Sequence, residues 1–279
     1  MFAGAREMGT ADVQVRGAVG DRLSEHDVDE PDVETASDAY ASRFAGPVGA
    51  WFLRIQADHV LDLLGRPTER PLLVLDVGGG HGQLTGPLVA AGHRVVVHGS
   101  RVSCHTRLCT EGAAVMHVAS PLLALPFPDA SFDLVVGIRL LAHVADWQGL
   151  CRELARVSRD RVLLDFPARS ALHHLAPGLF GAKQRVEGNT RPYFDFEVAE
   201  VEAELARLGL CVLGVRRQFA LPMALHRLLR APGLSGVLES TAERLGVTRS
   251  AGSPVLVLAG HEVANSSHPC APRVGPGAR

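Results

Sequence analysis

The chain has 279 residues, 47% of them hydrophobic, and a formal net charge of −2. That is long enough for one α/β domain with a buried core and an added cap, and too evenly charged to give nucleic acid or an anionic membrane an electrostatic footprint. The N-terminal MFAGAREMGTADVQVRGAVG carries charges where a signal peptide needs an apolar stretch, and no apolar run is long enough to span a bilayer, so a cytoplasmic protein is expected.

Residues 1–36 are polar, lack sustained periodicity and read as a disordered leader. PLLVLDV, from Pro71, is a short apolar run ending in glycines and predicts a buried strand, with a helix following through about Ala91. HRVVVHG predicts a second strand, 101–111 a helix, and AAVMHVA a third strand. SFDLVVGI, after the turn FPDA, predicts a fourth. Leu150, Leu154 and Val157 recur at helical spacing after Asp146, and RVLLDFP predicts a fifth strand. Alternation of apolar strands with helices argues for a parallel sheet covered on both faces. Residues 168–195 then form an insertion, followed by a helix from Val198 to Leu208 and a strand, CVLGVRR. In a second insertion, 219–253, the stretch LPMALHRLLRAPGLSGVLESTAERLG predicts two short helices, and SPVLVLAG predicts a last strand. Residues 263–279, rich in Pro, Gly and Ser, predict a disordered tail.

The five cysteines, Cys104, Cys109, Cys151, Cys211 and Cys270, contain no CxxC pair and read as reduced thiols. Cys104 and Cys109 lie on either side of His105, but the spacing fits no zinc signature, and no metal is expected. Lys183 stands as the single lysine among many arginines.

The most informative segment is VLDVGGGHGQL, Val74 to Leu84. A strand ends at Asp76, and Gly78, Gly80 and Gly82 alternate after it. Glycines let the backbone turn sharply and let a ligand approach without a Cβ in the way, and the helix that follows offers free N–H groups. A nicotinamide fingerprint needs G-x-G-x-x-G, and Gln83 stands three residues after Gly80. Asp-x-Gly-x-Gly-x-Gly after an apolar strand resembles the first motif of class I S-adenosylmethionine-dependent methyltransferases. LPFPDASFDLVVGIRLLAHVADW, Leu125 to Trp147, is similar to a second stretch of the methyltransferase type 11 group, and DAYASRFAG, Asp38 to Gly46, to the helix before its first strand. The resemblance covers about residues 38–260. Ser158-Arg159-Asp160 replaces the usual Pro-Gly-Gly turn.

The resemblance implies a Rossmann-like, seven-stranded α/β methyltransferase sheet, its last strand antiparallel, with helices on both faces and a C-terminal cap, over residues 37–262. It implies S-adenosylmethionine as cofactor and methyl transfer to a small organic acceptor, oxygen or carbon favoured. Asp76, Gly78, Gly80 and Gly82 would frame the methionine end; as a bare residue, Asp76 equally reads as a loop cap. Tyr40 and Arg43 would close over the cofactor, with Arg43 on its carboxylate; taken alone they read as a surface helix. Arg139 and His143 follow the fourth strand, where active sites of the group open. His143 is the candidate base, because neutral imidazole titrates near physiological pH; a packing histidine is the plain alternative. Lys183, Glu187, Thr190, Arg191 and Tyr193 would line the acceptor pocket, or else form a solvated loop. His173 and His174 are weaker candidates.

The chain departs from the pattern at the cofactor's nucleoside end. Gly99, followed by Ser100, stands where a ribose-holding acid is usual, and Ser120-Pro121 where a second acid binds adenine. Each lost carboxylate removes a charge-assisted hydrogen bond of about 1.5–3 kcal/mol. Three readings follow: an enzyme with altered contacts, a degenerate fold serving as a binding or scaffold protein, or a pocket for another nucleotide whose 2′-phosphate meets Arg101. Nothing in the sequence sets the oligomeric state.

Overall fold

The computed structural model describes residues 30–65, 70–110, 115–169 and 193–261. Strands β1 (Leu73–Val77), β2 (Arg94–Gly99), β3 (Met116–Ala119), β4 (Phe132–Gly137), β5 (Ser158–Phe166), β6 (Leu210–Phe219) and β7 (Ser253–His261) form one seven-stranded sheet in the order β3-β2-β1-β4-β5-β7-β6. β1 to β5 are parallel to their neighbours, and β7 runs antiparallel between β5 and β6. This is the sheet order that the resemblance implied.

The helices are α1 (Pro31–Thr35), α2 (Asp38–Ser42), α3 (Gly46–Leu64), α4 (Thr85–Ala90), α5 (Thr106–Thr110), α6 (Trp147–Val157), α7 (Val198–Arg207), α8 (Met223–Leu229), α9 (Pro232–Arg244) and α10 (Val247–Ala251). Central strands read as unbroken apolar runs because both faces are covered. Along β4, Leu134 and Val136 pack with Val60 and Leu64 of α3 and Leu88 of α4. Val135 points the other way, into the cluster that holds Leu150 and Leu154 of α6 and Val201 and Leu205 of α7.

Several expectations need correction. The leader expected through residue 36 is helical from Pro31, and Asp32 there is buried. The fifth strand, expected from Arg161, begins at Ser158 and follows α6 directly, so the residues that replace the Pro-Gly-Gly turn belong to it. The second insertion holds the two helices expected over 221–246, α8 and α9, and a further short one, α10, beyond that stretch. The helix expected over 101–111 is a 3-10 turn, Val102–His105, continued by α5.

The LPFPDASFD stretch is built into the framework. Arg156 of α6 donates to the carbonyls of Leu125 and Phe127 and pairs with Asp129 and Glu153, while Glu153 accepts from the Leu125 N–H. Asp133 lies at the start of β4, 3% exposed, bonded to the Leu73 N–H, Arg70 and Arg159. Burial alone would raise its pKa, but these donors hold it below the usual carboxylate range. In the cap, Glu239 of α9 accepts from His226 of α8 at 2.8 Å and from the Ala220 and Leu221 N–H groups, fastening α8 and the end of β6 to α9.

Candidate functional site

The C-terminal ends of the parallel strands meet at the glycine loop. β1 ends at Val77, Gly78 turns left-handed at φ 70°, Gly79–His81 form one 3-10 turn, and Gly82 turns left-handed again at φ 77°. Neither turn favours a residue with a Cβ. Two neighbouring glycines are required sterically. A Cβ at Gly79 would overlap the Asp76 carboxylate, and one at Gly80 would overlap the Cys104 carbonyl oxygen.

Asp76 sits beneath this loop, 3% exposed, and accepts from the Thr85 hydroxyl at 3.2 Å. Burial raises its pKa to about 7, partly opposed by Thr85. As placed, Asp76 packs beneath Gly79 and bonds Thr85 at the start of α4.

At the end of β2 the missing acid has a steric cause. A Cβ at Gly99 would lie 2.7 Å from the Cys104 Cβ and 2.9 Å from His105 Nε2. A carboxylate nevertheless occupies this neighbourhood, delivered by α1. Asp32 accepts from the Ser100 N–H and from the Ser100 hydroxyl, each at 2.6 Å, and is 1% exposed. Beside it, Ser120 Oγ lies 2.9 Å from His98 Nε2; burial lowers the His98 pKa to about 4. Arg101, the residue considered for a 2′-phosphate, pairs with Glu30.

α2 covers the loop on its other side. Tyr40 and Phe44 both stand edge-on to His81, with ring centres 5.7 and 5.6 Å away. Burial, then the charges of Arg139 and Arg107, lower the His81 pKa to about 4, so the ring is neutral. Arg43 lies over the Tyr40 ring and pairs with Glu34 at 3.6 Å.

Arg139, just past β4, adopts φ 58°, a left-handed conformation uncommon outside glycine. Its N–H donates to Asp165 of β5, its Nη2 donates to Gln56 of α3 at 3.0 Å, and its guanidinium lies over the Phe44 ring. Gln56 also donates to Asp165 at 3.2 Å. Burial raises the Asp165 pKa to about 6, against the stabilising Arg139 and Gln56. Arg139 therefore ties α3, β4 and β5 together at the strand ends.

His143 closes the 3-10 turn Leu141–His143, and its ring stacks edge-on with Tyr193 at 5.5 Å. The Phe194 N–H donates to the Ala142 carbonyl at 2.9 Å. The end of the first insertion is thus held against the segment after β4, and His143 and Tyr193 meet. Lys183, Glu187, Thr190 and Arg191, with His173 and His174, lie outside the described residues. A cavity of about 400 Å³ opens at the opposite edge, near the starts of β4 and β5, lined by Asp129, Arg156, Arg159 and His261. Its position away from the glycine loop gives it no part in the site.

Sequence reasoning missed Asp32, Gln56, His81 and Asp165. Asp165 was discoverable, as a carboxylate inside the apolar run RVLLDFP, the same signal that marked Asp76. Gln56 is a polar residue on the buried face of α3. Asp32 has no local signal, because its partner is 68 residues away.

Comparison with known proteins agrees with this architecture. The methyltransferase domain family matches residues 75–164. A protein of Mycobacterium tuberculosis strain CDC 1551, described as a probable S-adenosylmethionine-dependent methyltransferase, is 34% identical over 114 residues, 41% of this chain and 40% of that protein. The chain thus matches about two fifths of that relative's length. Among solved structures, magnesium protoporphyrin IX methyltransferase from Synechocystis with bound S-adenosylhomocysteine aligns at TM-score 0.55 and 15% identity, over 82% of this chain and 97% of that one. The 1,6-didemethyltoxoflavin N1-methyltransferase of Burkholderia thailandensis aligns at TM-score 0.54 and 16% identity, over 82% and 84%. The fold is that of class I methyltransferases, and residues 75–164 match the methyltransferase domain family.

Proposed function

We propose that this chain transfers the methyl group of S-adenosylmethionine to a small organic acceptor, at oxygen or carbon. The carrying observation is the loop after β1. Left-handed glycines at 78 and 82 and sterically required glycines at 79 and 80 stand at the C-terminal edge of the sheet, over the buried Asp76. That loop fits a ligand that needs close backbone approach, and the Ser100 N–H and hydroxyl lie beside it, bonded here to Asp32. The cofactor's sulfonium supplies an activated methyl group. The chain's own task is to align the acceptor and take its proton.

His143 is the residue proposed to receive that proton, with Tyr193 fixing its ring. Lys183, Glu187, Thr190 and Arg191 are proposed to complete the acceptor pocket from the first insertion. The pairing of Arg43 with Glu34 supports a role for Arg43 in holding α1 and α2 together. We place the protein in the cytoplasm; among the described residues no helix is long and apolar enough to cross a membrane.

A second reading, a methyltransferase fold retained as a binding protein, draws support from Asp32, whose carboxylate takes the Ser100 donors. Calorimetric titration with S-adenosylhomocysteine separates the two. Micromolar binding that is lost in Asp76→Ala supports the enzyme. No binding at millimolar ligand leaves the binding protein.

A further inference from the structure

We propose that α1 is a plug for the cofactor cleft: Asp32 occupies the donors at the end of β2, and S-adenosylmethionine enters only after α1 lifts away. This rests on the cofactor reading above and adds a control on it.

α1 spans five residues, too few to be stable as an isolated helix in water, so its place is set by what it docks on. It docks on the two features the cofactor would use. Asp32 spends both carboxylate oxygens on Ser100, each at 2.6 Å. Its Cβ stands 3.5 Å from where a Cβ on Gly78 would be, and the Ala36 Cβ lies 3.0 Å from the same point on Gly80. The glycines, which exist to let something approach, are approached by α1, and Gly78 through His81 are buried. A ligand seated on the loop and reaching Ser100 needs the space that Asp32 and Ala36 fill.

The attachment is of a kind that can release. Asp32 is held by neutral donors, those of Ser100 and the Cys104 thiol, and water would solvate its carboxylate equally well once α1 lifts. On either side, Glu30 pairs with Arg101 and Asp38 with Arg107 at 3.3 Å. The side chains of Arg101 and Asp38 are largely exposed, and exposed pairs contribute little. A competing segment lowers apparent affinity by the fraction of molecules in which the site is open. Removing the plug therefore strengthens cofactor binding, whereas removing a cofactor-holding carboxylate weakens it. The two roles for Asp32 differ in sign.

The test titrates S-adenosylhomocysteine into the full chain and into Asp32→Ala, with amide hydrogen exchange followed at Ser100 and at Gly78–Gly82 before ligand is added. The plug predicts faster exchange at Ser100 and binding about tenfold or more tighter in the variant. Weaker binding in the variant makes Asp32 a cofactor contact and overturns the plug. Equal affinity in both overturns it while leaving the cofactor reading intact. Unchanged exchange at Ser100 overturns the seat itself. No binding by either protein removes the cofactor reading and the plug together. Should Asp32→Ala fail to fold, Asp32→Asn keeps the side chain's size while losing one acceptor for Ser100, and the same outcomes apply.

Discussion

The loop after β1 and the end of β2 are neighbours on the same edge of the sheet, and they are built by different means. The loop is made from near neighbours in the chain: Asp76 lies beneath it, Thr85 bonds Asp76, and Gly78 and Gly82 supply the turns. The end of β2 has no room for its own acid, since Cys104 and His105 press on Gly99. Its carboxylate arrives on α1, from 68 residues earlier in the chain. Half of the site is thus fixed by local sequence and half by a tertiary contact, and the tertiary half is the one that can open.

The largest effect that sharpens this contrast is expected in the local half. Gly80→Val forces the loop away from the Cys104 carbonyl. It should weaken S-adenosylhomocysteine binding roughly 100-fold, equivalent to about 2.7 kcal/mol, as read by calorimetry. Binding unchanged in that variant would break the assignment of the loop to the cofactor. Restoring the usual acid in the other half should fail: Gly99→Asp is expected to lower stability by about 1–3 kcal/mol through overpacking, measured by urea unfolding, without tightening the ligand. A stable, tighter-binding Gly99→Asp would show that the end of β2 yields more readily than its contacts indicate.

The pH dependence of stability tests the buried carboxylates. Burial raises Asp76 from 3.8 to about 7 and Asp165 from 3.8 to about 6. Over that interval the folded chain keeps protons that the unfolded chain has released, so their contribution to stability is full in acid and is lost as pH rises through the folded values. Asp76→Asn should remove about 2 kcal/mol of the decline between about pH 5 and pH 7.5, read from urea midpoints. A slope unaltered by Asp76→Asn would place the proton elsewhere. The smallest effect concerns the framework that both halves share. Arg156→Met should cost about 1–2 kcal/mol, from the lost hydrogen bonds to Leu125 and Phe127, and leave ligand affinity unchanged, because these contacts lie at the starts of β4 and α6's far end rather than at the loop.

How much was legible follows from the range of each interaction. Asp76 and its glycines were legible because strand, turn and helix follow one another within a dozen residues. Arg139 and His143 were located by their place after β4. The sequence did not disclose that Arg139 faces inward, onto Gln56, Asp165 and the Phe44 ring. The fifth strand read as starting at Arg161, yet pairing of Ser158 with Phe132 of β4 extends it back to Ser158.

The sequence by itself determined the alternation of strands and helices, the glycine loop and the absence of an acid at Gly99, because periodicity and turn chemistry act between near neighbours. Only the tertiary structure decided that Asp32 fills the end of β2, that Arg139 joins three elements, and that His143 meets Tyr193. Each of these joins residues far apart in the chain, and a hydrogen bond or ring contact of that kind leaves no periodic trace in the sequence that makes it.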